Sequence, residues 1–465
     1  MSFISFRSVR TGVWHLGCVL ACLLPSLALA SGPWGEVAQI LPEATDPTYP
    51  DESLFFGYSV DVDGDWLIAG IPTHMSSGDM SSGGAFIYQR GADQQWRLHQ
   101  RILFSTGDGW CGDSVAMLGR FIAVGCPDHS LPDVGDVGRV IIYQRTSHGV
   151  YEQPRIIQGT RSYENVGWKV AMTGTGEAGE TYLAISNLGR FRDEEGRVTN
   201  GGVDVYRLTE ETMDAEHVWT LDASLESPFF NDTGATWRFG GTIAIHRDAA
   251  NTVEVAVGMC GWNDGTGRVF IFRRSGAGVW SHQATFAPPA GHANGSFGCA
   301  IALHGAHLVV GEPDARLDAP SYLDRLHAFV RRGMTWSTSP MTFDVPVSSP
   351  NYANNHRLSM TLHMRGADLW VAAPFWRLGD NQSGYAWRFR RTGSGQVVGD
   401  PLAYEAEQQL PATSGRSKFG TALVVDADGS VFFGAPSVGN GDDLPEGRIV
   451  VHHRDAVFRD GLEPR

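Results

Sequence analysis

The chain has 465 residues and carries 36 Lys and Arg against 51 Asp and Glu, a formal net charge of −15 at pH 7 with neutral histidines. An acidic surface argues against nucleic acid or an anionic membrane as the main partner, because phosphate groups are bound by concentrated Lys and Arg. No segment after residue 30 approaches the roughly 20 consecutive apolar residues that a transmembrane helix requires.

Residues 1–30 have the features of a secretory signal peptide. Arg7 and Arg10 precede an apolar run over 13–30, which ends in Ala28-Leu29-Ala30, the small-x-small pattern of a signal-peptidase site. We therefore expect an exported protein that is secreted, periplasmic or held at the cell surface. A retained membrane anchor is the alternative, but the run is short and is interrupted by a proline.

The remaining chain repeats one unit seven times. The copies start at residues 56, 111, 166, 239, 297, 358 and 419. Each copy has two short apolar runs joined by a tight polar turn, a third run that begins with glycine, as in GGAFIYQR (83–90), and a fourth, as in WRLHQRIL (96–103). Alternation with a period of two, bounded by Gly, Asp and Pro, is typical of half-buried strands. Each copy is therefore predicted to be a four-stranded antiparallel sheet.

Sheets of this kind bury too little apolar surface alone and must stack face to face around an axis. The seventh copy supplies three strands (419–453) and lacks the fourth, whereas WGEVAQIL (34–41) matches the spacing of WRLHQRIL. We predict an all-β, seven-bladed β-propeller of four-stranded antiparallel blades over 31–455, closed by an N-terminal strand that completes the last blade. A C-terminal tail follows at 456–465.

Two short signatures recur at fixed places in the copies. The first is a Phe-Gly pair at the start of the unit, found at Phe56-Gly57, Phe239-Gly240, Phe297-Gly298 and Phe419-Gly420. The second is Gly-x-Pro or Ala-Pro after the second strand, found at Gly70-Ile71-Pro72, Gly125-Cys126-Pro127, Gly311-Glu312-Pro313, Ala373-Pro374 and Gly434-Ala435-Pro436. With these signatures the chain resembles the FG-GAP repeat family, which includes the integrin α-subunit head and bacterial exported relatives. The resemblance implies the propeller fold and leaves the function open, because one fold hosts unrelated activities.

The Asp-rich turn of the first copy is a candidate calcium site, and calcium is the one cofactor that the resemblance suggests. In the integrin branch, calcium binds between the first two strands of a blade, to alternating Asp or Asn, a Gly and a final Asp. Asp61, Asp63 and Asp65 come closest to this pattern, and the last copy offers Asp426 and Asp428. Calcium needs six to eight oxygen ligands, and here apolar residues replace the final Asp. The favoured alternative is a plain hairpin turn, for which Asp-Gly is a strong signal.

Four cysteines remain after removal of the signal peptide. Cys111 starts the first strand of copy 2 and Cys126 ends its second strand, so an antiparallel hairpin places them side by side. Cys260 ends the second strand of copy 4, and Cys299 lies at the start of copy 5. An even number of cysteines in an exported chain favours disulfides. We therefore predict one disulfide within a blade and one between neighbouring blades.

The leading functional interpretation is a secreted, monomeric, non-enzymatic binding or adhesion module. It would recognise a protein or a glycan through the loops on one face of the ring. The inserted segment 226–238 contains Phe229, Phe230 and Trp237, which are candidate anchors because aromatic residues dominate interface energetics. Capping of the blade edges is the alternative role for these rings.

Two other functions stay open at this point. One is a hydrolase or lyase that acts on polysaccharide or lipid at the mouth of the central channel, with acids and histidines assembled from several blades. Its candidate residues are Asp113, Glu312, Asp314 and His129, which lie at starts of first strands or ends of second strands. The other is a structural component of a cell envelope or a surface assembly.

Overall fold

The computed structural model confirms a seven-bladed β-propeller, with four-stranded antiparallel blades arranged in a ring. The predicted signal peptide (1–30) and tail (456–465) lie outside the described residues. The structure describes residues 34–42, 55–76, 79–104, 108–192, 198–211, 216–229, 238–248, 250–290, 295–315, 323–345, 360–374, 377–378, 381–382, 384–396, 400–411, 417–436 and 447–454.

In blades 1 to 6 the four strands follow one another from the centre of the ring outwards in chain order. Blades 1 to 3 are formed by Ser59–Asp63, Trp66–Ser76, Asp79–Arg90 and Trp96–Leu103; by Ser114–Leu118, Phe121–Cys126, Arg139–Arg145 and Tyr151–Gln158; and by Val166–Gly174, Thr181–Arg192, Val198–Glu210 and Val218–Leu225. Blades 4 to 6 are formed by Thr242–Arg247, Val253–Met259, Arg268–Arg274 and Trp280–Phe286; by Ala300–His304, His307–Ala315, Leu323–Arg332 and Met341–Asp344; and by Thr361–Arg365, Asp368–Ala373, Tyr385–Gly393 and Ala403–Pro411.

Blade 7 takes its fourth strand from the other end of the chain. Its strands are Ala422–Val425, Val431–Ala435, Arg448–His453 and, outermost, Gly35–Ile40. Two-residue strands lie at Asp108–Gly109, Asp128–His129, Thr335–Trp336, Arg377–Leu378 and Asn381–Gln382, and a single-turn helix spans Trp262–Gly265. None of the described helices is long and apolar enough to cross a membrane.

The chain ends meet in blade 7, as predicted. Gly35–Ile40 pairs antiparallel with Arg448–His453. Trp34 is only 8% exposed, and its backbone N–H and C=O bond the side-chain amide of Gln408 at 3.2 and 3.0 Å. The indole ring of Trp34 packs edge-on against Trp370, with 4.8 Å between ring centroids. The N-terminal strand is therefore an integral part of the last blade.

The two sequence signatures form one contact between neighbouring blades. The Phe-Gly glycine has a left-handed φ, +83° at Gly57 and +90° at Gly112, which a side chain would strain. A Cβ on Gly70 would lie 2.0 Å from the carbonyl oxygen of Gly112, and one on Gly434 would lie 1.9 Å from that of Gly57. The Gly-x-Pro glycine of one blade thus packs directly on the Phe-Gly glycine of the next. The Gly434–Gly57 contact closes the ring between blades 7 and 1.

The inner strands define two ends of the propeller. They contact one another in chain order, and the inner strand of blade 7 contacts that of blade 1. We call the end with the Phe-Gly pairs the FG end. The opposite end, where tight turns join the first and second strands, is the hairpin end. Since neighbouring strands are antiparallel, starts of first strands and ends of second strands share the FG end.

Candidate functional site

A cluster of ionisable side chains lies at the FG end of blades 2 and 3. Asp113, at the start of blade 2, is 7% exposed, and its Oδ2 lies 3.7 Å from Nζ of Lys169 in blade 3. Burial raises the pKa of Asp113, and Lys169 opposes that shift. Tyr58 occupies the equivalent place in blade 1, where burial and the Asp113 charge raise its pKa to about 12. Asp113 therefore acts on groups in both neighbouring blades.

Asp128 belongs to the same cluster. Its backbone pairs with Gly109, and its Oδ1 accepts a hydrogen bond from Nδ2 of Asn165 at 3.3 Å. Burial raises the pKa of Asp128 to about 6, and the charges of Asp136 and Asp113 add to that effect. Repulsion between these carboxylates means that a cationic group placed among them would be stabilised.

Two large aromatic side chains are exposed beside this cluster. Trp110 is 40% exposed and Tyr163 is 59% exposed. Trp110 directly follows Gly109, the pairing partner of Asp128, while Tyr163 lies two residues before Asn165, whose side chain bonds Asp128. Asp128 is thus connected to both segments. We call the surface formed by Trp110, Tyr163, Asp113, Asp128, Asp136 and Lys169 the FG-end site.

The backbone of Tyr163 is strained. Its φ is +58°, which for a bulky residue costs on the order of 1 kcal/mol. Its N–H donates to the carbonyl of Gly135 at 3.0 Å, so the loop of blade 2 holds the residue in place. Trp110 also has a positive φ of 59°, but residues directly before the first strand of other blades, such as Arg238 and Ser296, share that conformation. Asp136 also has a positive φ of 52°, which aspartate adopts more readily than a bulky aromatic residue does.

The four predicted catalytic candidates do not all come together. His129 is buried beside Asp128, in the same part of the fold as Asp113. Glu312 lies in blade 5, where its Oε2 is 2.7 Å from Nε2 of a fully buried His327. Nδ1 of that histidine is 3.0 Å from Oγ1 of Thr342. Glu312 is therefore part of a polar network inside blade 5. The side chain of Asp314 lies outside the described residues.

The candidate calcium ligands point to separate protein partners at the hairpin end. Asp61 accepts hydrogen bonds from the backbone N–H groups of Val62 and Met117 at 2.9 and 2.8 Å. Asp63 accepts one from the N–H of Gly119 in blade 2. Burial raises the pKa of Asp61 to about 7, and the charges of Asp63 and Asp426 add to this rise. The two hydrogen bonds lower the pKa but do not offset the effect of burial.

The remaining acidic side chains of these turns bond across the junction of blades 7 and 1. Arg90 pairs with Asp65 at 2.9 Å and with Asp428 at 3.0 Å. Asp426 accepts a hydrogen bond from the N–H of Gly64 at 3.2 Å. Among the described residues, no group of three or more His, Cys, Asp or Glu side chains is arranged to hold a metal ion. Calcium binding at Asp61, Asp63 and Asp65 stays a prediction.

The opposite side of the hairpin end carries imidazole and guanidinium groups. The rings of His246 and His304, in blades 4 and 5, have centroids 4.8 Å apart. His307 lies opposite His304 across the hairpin, and its Nε2 is 2.9 Å from the carbonyl oxygen of Ser394 in blade 6. We call this group the imidazole cluster; its members are His246, His304, His307, His363, Arg365 and Arg391.

Both predicted cysteine pairs are at disulfide distance. The Sγ atoms of Cys111 and Cys126 are 2.05 Å apart within blade 2. Those of Cys260 and Cys299 are 2.21 Å apart and join blade 4 to blade 5. The first pair lies next to Asp113 and Asp128, so it fixes the FG end of blade 2 where the acidic cluster is formed.

Of the three aromatic anchors predicted in the inserted segment, Phe229 lies within the described residues, whereas Phe230 and Trp237 lie outside them. Phe229 is partly buried against blade 4, with its ring centroid 6.0 Å from that of Phe270. The guanidinium carbon of Arg268 lies 4.5 Å from the centre of the Phe229 ring. These contacts fit the edge-capping role, and partner binding by the segment stays a prediction.

Sequence reasoning missed most of the FG-end site and the whole imidazole cluster. Trp110 and Tyr163 stand just before the first strands of their blades. Copy 1 also has an aromatic residue, Phe55, at the position of Trp110, so the available signal was the aromatic residue at Tyr163. In the HGAH turn, His304 and His307 stand where other copies carry residues such as Leu118 and Phe121. Comparing the turns position by position would have exposed this difference.

The comparisons with known proteins reach the level of fold. No family model and no curated protein sequence matches the chain. Among solved structures, the β-propeller domain of Cps50 (Swd1) from Myceliophteria thermophila has a TM-score of 0.45 at 12% identity, over 84% of this chain and 95% of that one. The β-propeller domain of the Trilobed protease from Pyrococcus furiosus has a TM-score of 0.43 at 10% identity, over 86% and 94%. A luciferin-regenerating enzyme has a TM-score of 0.34 at 10% identity, over 72% and 87%.

Proposed function

We propose that the chain is an exported binding propeller of the FG-GAP type, which holds a cationic group of a protein partner at the FG-end site. The signal-like residues 1–30 and the two cysteine pairs support export, and the recurring Phe-Gly and Gly-x-Pro signatures support the family. The observation that carries the proposal is the exposure of Trp110 and Tyr163 on the two segments that contact Asp128.

This combination suits the recognition of an ammonium or guanidinium group. Aromatic faces attract cations through their quadrupole, and Trp and Tyr are frequent anchors at protein interfaces. Asp113, Asp128 and Asp136 supply the negative charge, and Lys169 compensates Asp113 only in part. Because the pKa of Asp128 is raised to about 6, the affinity for a cation should increase as the pH rises through 6.

The test is binding of the oxidised mature chain to Arg-rich and Lys-rich peptides, to uncharged peptides and to neutral glycans. We expect binding of the basic peptides, a loss of at least about tenfold in Trp110→Ala/Tyr163→Ala, and a flattened pH profile in Asp128→Asn. Leu221→Ala is the control, since Leu221 is 50% exposed on the outer strand of blade 3. Equal weakening by Leu221→Ala, or binding of neutral glycans alone, would count against cation recognition.

A hydrolase is the second candidate, and the observation that favours it is the raised pKa of Asp128. A carboxyl that titrates near 6 can donate a proton at neutral pH, as general acids in hydrolases do. Asp113 is a second carboxyl in the same cluster whose pKa burial raises. Turnover of a glycan or ester by the purified chain, abolished in Asp128→Asn, would establish this function in place of simple binding.

A further inference from the structure

The imidazole cluster places two guanidinium groups beside four imidazoles. The described charges that act on the His304 imidazole are Arg365 and Arg391, and both lower its pKa after burial. His363 is acted on by Arg365 and His304, and His307 by Arg391 and His304, besides the carbonyl of Ser394. Burial is the largest cause of the lowered pKa at each of these histidines. Guanidinium and imidazole groups thus converge at the junction of blades 5 and 6.

The nearby carboxylates have partners of their own. They and their partners are Asp248 with Arg331 at 3.7 Å, Asp368 with Arg388 at 2.8 Å, Asp400 with the N–H of Ser394 at 2.9 Å, and Asp426 with the N–H of Gly64 at 3.2 Å. The Arg391 charge also lowers the pKa of Asp400, after its hydrogen bonds from Ser394. Asp248 raises the pKa of His246, while burial, His304 and Arg331 lower it. Within the described residues, His246 is thus the one imidazole of the cluster on which a carboxylate acts.

Arg391 provides a donor directed at this junction. Its Nη1 is buried and has no hydrogen-bond partner among the described residues, although the guanidinium also lies beside the hydroxyl of Tyr404. A buried N–H of a charged group that lacks an acceptor costs more than about 1 kcal/mol. Corresponding arginines of blades 1 and 4 pair with carboxylates, as Arg90 does with Asp428 and Arg274 with Asp222. Arg145 of blade 2, by contrast, also has a buried Nη1 without a hydrogen-bond partner in the part of the chain that the structure describes. Blade 6 therefore differs from blades 1 and 4 at this position and resembles blade 2.

We propose that the imidazole cluster is a binding site for an oxyanion group, that is, a phosphate, sulfate or carboxylate. The anion would accept hydrogen bonds from the guanidinium of Arg391 and from the imidazoles, and would be attracted by the two guanidinium charges. Arg365 is the exposed member of the cluster, and its Nη1 donates to the carbonyl of Val425 in blade 7 at 3.2 Å. The site lies at the opposite end of the propeller from the FG-end site and does not depend on the proposed function.

Binding of the anion is coupled to protons. The pKa of His246, His307 and His363 is lowered to about 4, so these imidazoles are neutral at pH 7. A bound anion favours their protonated forms, and affinity must therefore rise as the pH falls from 7 towards 5. Protonated imidazole also gains a second N–H donor for the anion.

The experiment is calorimetric titration of sodium phosphate, sulfate or acetate into the oxidised mature chain at pH 5.5 and 7.5, with ionic strength held constant by chloride. We expect saturable binding that is at least about tenfold tighter at pH 5.5. Repeating the titration in two buffers of different ionisation enthalpy should reveal proton uptake. Acetate alone would assign the site to carboxylates, and phosphate or sulfate to tetrahedral anions.

The variants are chosen as neighbours on one strand. Arg391→Gln should weaken binding at least about tenfold, whereas Arg390→Gln should not, because Arg390 is exposed and faces the other side of blade 6, near Glu407. Arg365→Gln gives a second test at an exposed position, where misfolding is not expected. Equal loss in Arg390→Gln and Arg391→Gln, or no saturable binding of any of the three anions, would overturn the proposal.

Discussion

The two sides of the hairpin end carry side chains of opposite charge, and these side chains have different kinds of partner. In the turns of blades 7 and 1, Asp61, Asp63 and Asp426 all accept hydrogen bonds from backbone N–H groups. Across the ring, the imidazole cluster places Arg365 and Arg391 beside imidazoles, and Nη1 of Arg391 has no hydrogen-bond partner among the described residues. The same repeat thus uses carboxylates to hold its own blades together on one side and places guanidinium groups beside imidazoles on the other. Charge that is internally satisfied indicates structure, and charge that is not indicates a ligand.

The largest expected effect is that of opening the ring beside the acidic side of the hairpin end. Deleting residues 34–41 removes the outer strand of blade 7 and leaves Arg448–His453 as an open edge. We expect loss of cooperative thermal unfolding, since the contacts of Arg90 with Asp428 and of Gly64 with Asp426 cross this junction. Deletion of 460–465 is the control and should leave the melting temperature unchanged. Equal melting temperatures for the two deletions would contradict the closure argument.

The disulfides offer the next comparison, because one lies on each side. Cys111–Cys126 spans 15 residues within blade 2, and Cys260–Cys299 spans 39 residues between blades 4 and 5. Loop-closure entropy gives about 3 kcal/mol for the first and about 4 kcal/mol for the second. Denaturant unfolding of the Cys260→Ser/Cys299→Ser chain should therefore show a larger loss than Cys111→Ser/Cys126→Ser. A larger loss of unfolding free energy in Cys111→Ser/Cys126→Ser would show that this disulfide also stabilises the folded loops of blade 2, beyond its effect on chain entropy.

Single substitutions on the two sides should change the free energy of unfolding by different amounts. Asp63→Ala leaves the N–H of Gly119 without its acceptor and should lower the free energy of unfolding by about 1–3 kcal/mol. Arg365→Ala removes an exposed cation from the imidazole cluster and should change the free energy of unfolding by less than about 0.5 kcal/mol. Urea unfolding at pH 7 measures both. A cost at Arg365 as large as that at Asp63 would mean that the imidazole cluster is structural as well.

The fold could be predicted from the sequence because the repeat makes each strand visible several times. The Phe-Gly and Gly-x-Pro glycines recur since each junction needs two backbones in direct contact, as Gly70 and Gly112 are. The cysteine pairs followed from the same register. Closure followed from the one strand that was missing at the C-terminus and present at the N-terminus.

The candidate sites could not be predicted in the same way. Asp113 and Lys169 come from different blades, and their 3.7 Å separation depends on how those blades stack. Asp61 and Asp63 are alternate residues in the sequence and suggested a shared ion, yet they bond the N–H groups of Met117 and Gly119 in the next blade. A repeat specifies what its copies share, whereas a binding site consists of the positions where the copies differ.

The smallest effect is a pH dependence with opposite signs on the two sides. His363 has a pKa of about 4 in the folded chain against an ordinary value of 6.5, so between pH 6.5 and 4 the unfolded chain binds more protons. This histidine therefore contributes stability that is present above pH 6.5 and is lost as the pH falls through 4. Asp61 behaves in the opposite way: its pKa is about 7 when folded against 3.8, so its contribution is present below pH 3.8 and is lost as the pH rises through 7.

Substituting each group should therefore change the pH profile in opposite directions. Urea midpoints between pH 4.5 and 7.5 should fall less steeply on acidification in His363→Gln than in the parent chain, and more steeply in Asp61→Asn. Each change should be about 1 kcal/mol across the window, because both groups are only half-buried and solvent screens part of the shift. Added phosphate should also reduce the acid loss in the parent chain, and less so in Arg391→Gln, since an anion held by the imidazole cluster favours protonated histidine. Parallel profiles for the parent and both variants would show that neither side of the hairpin end holds its charge as the structure indicates.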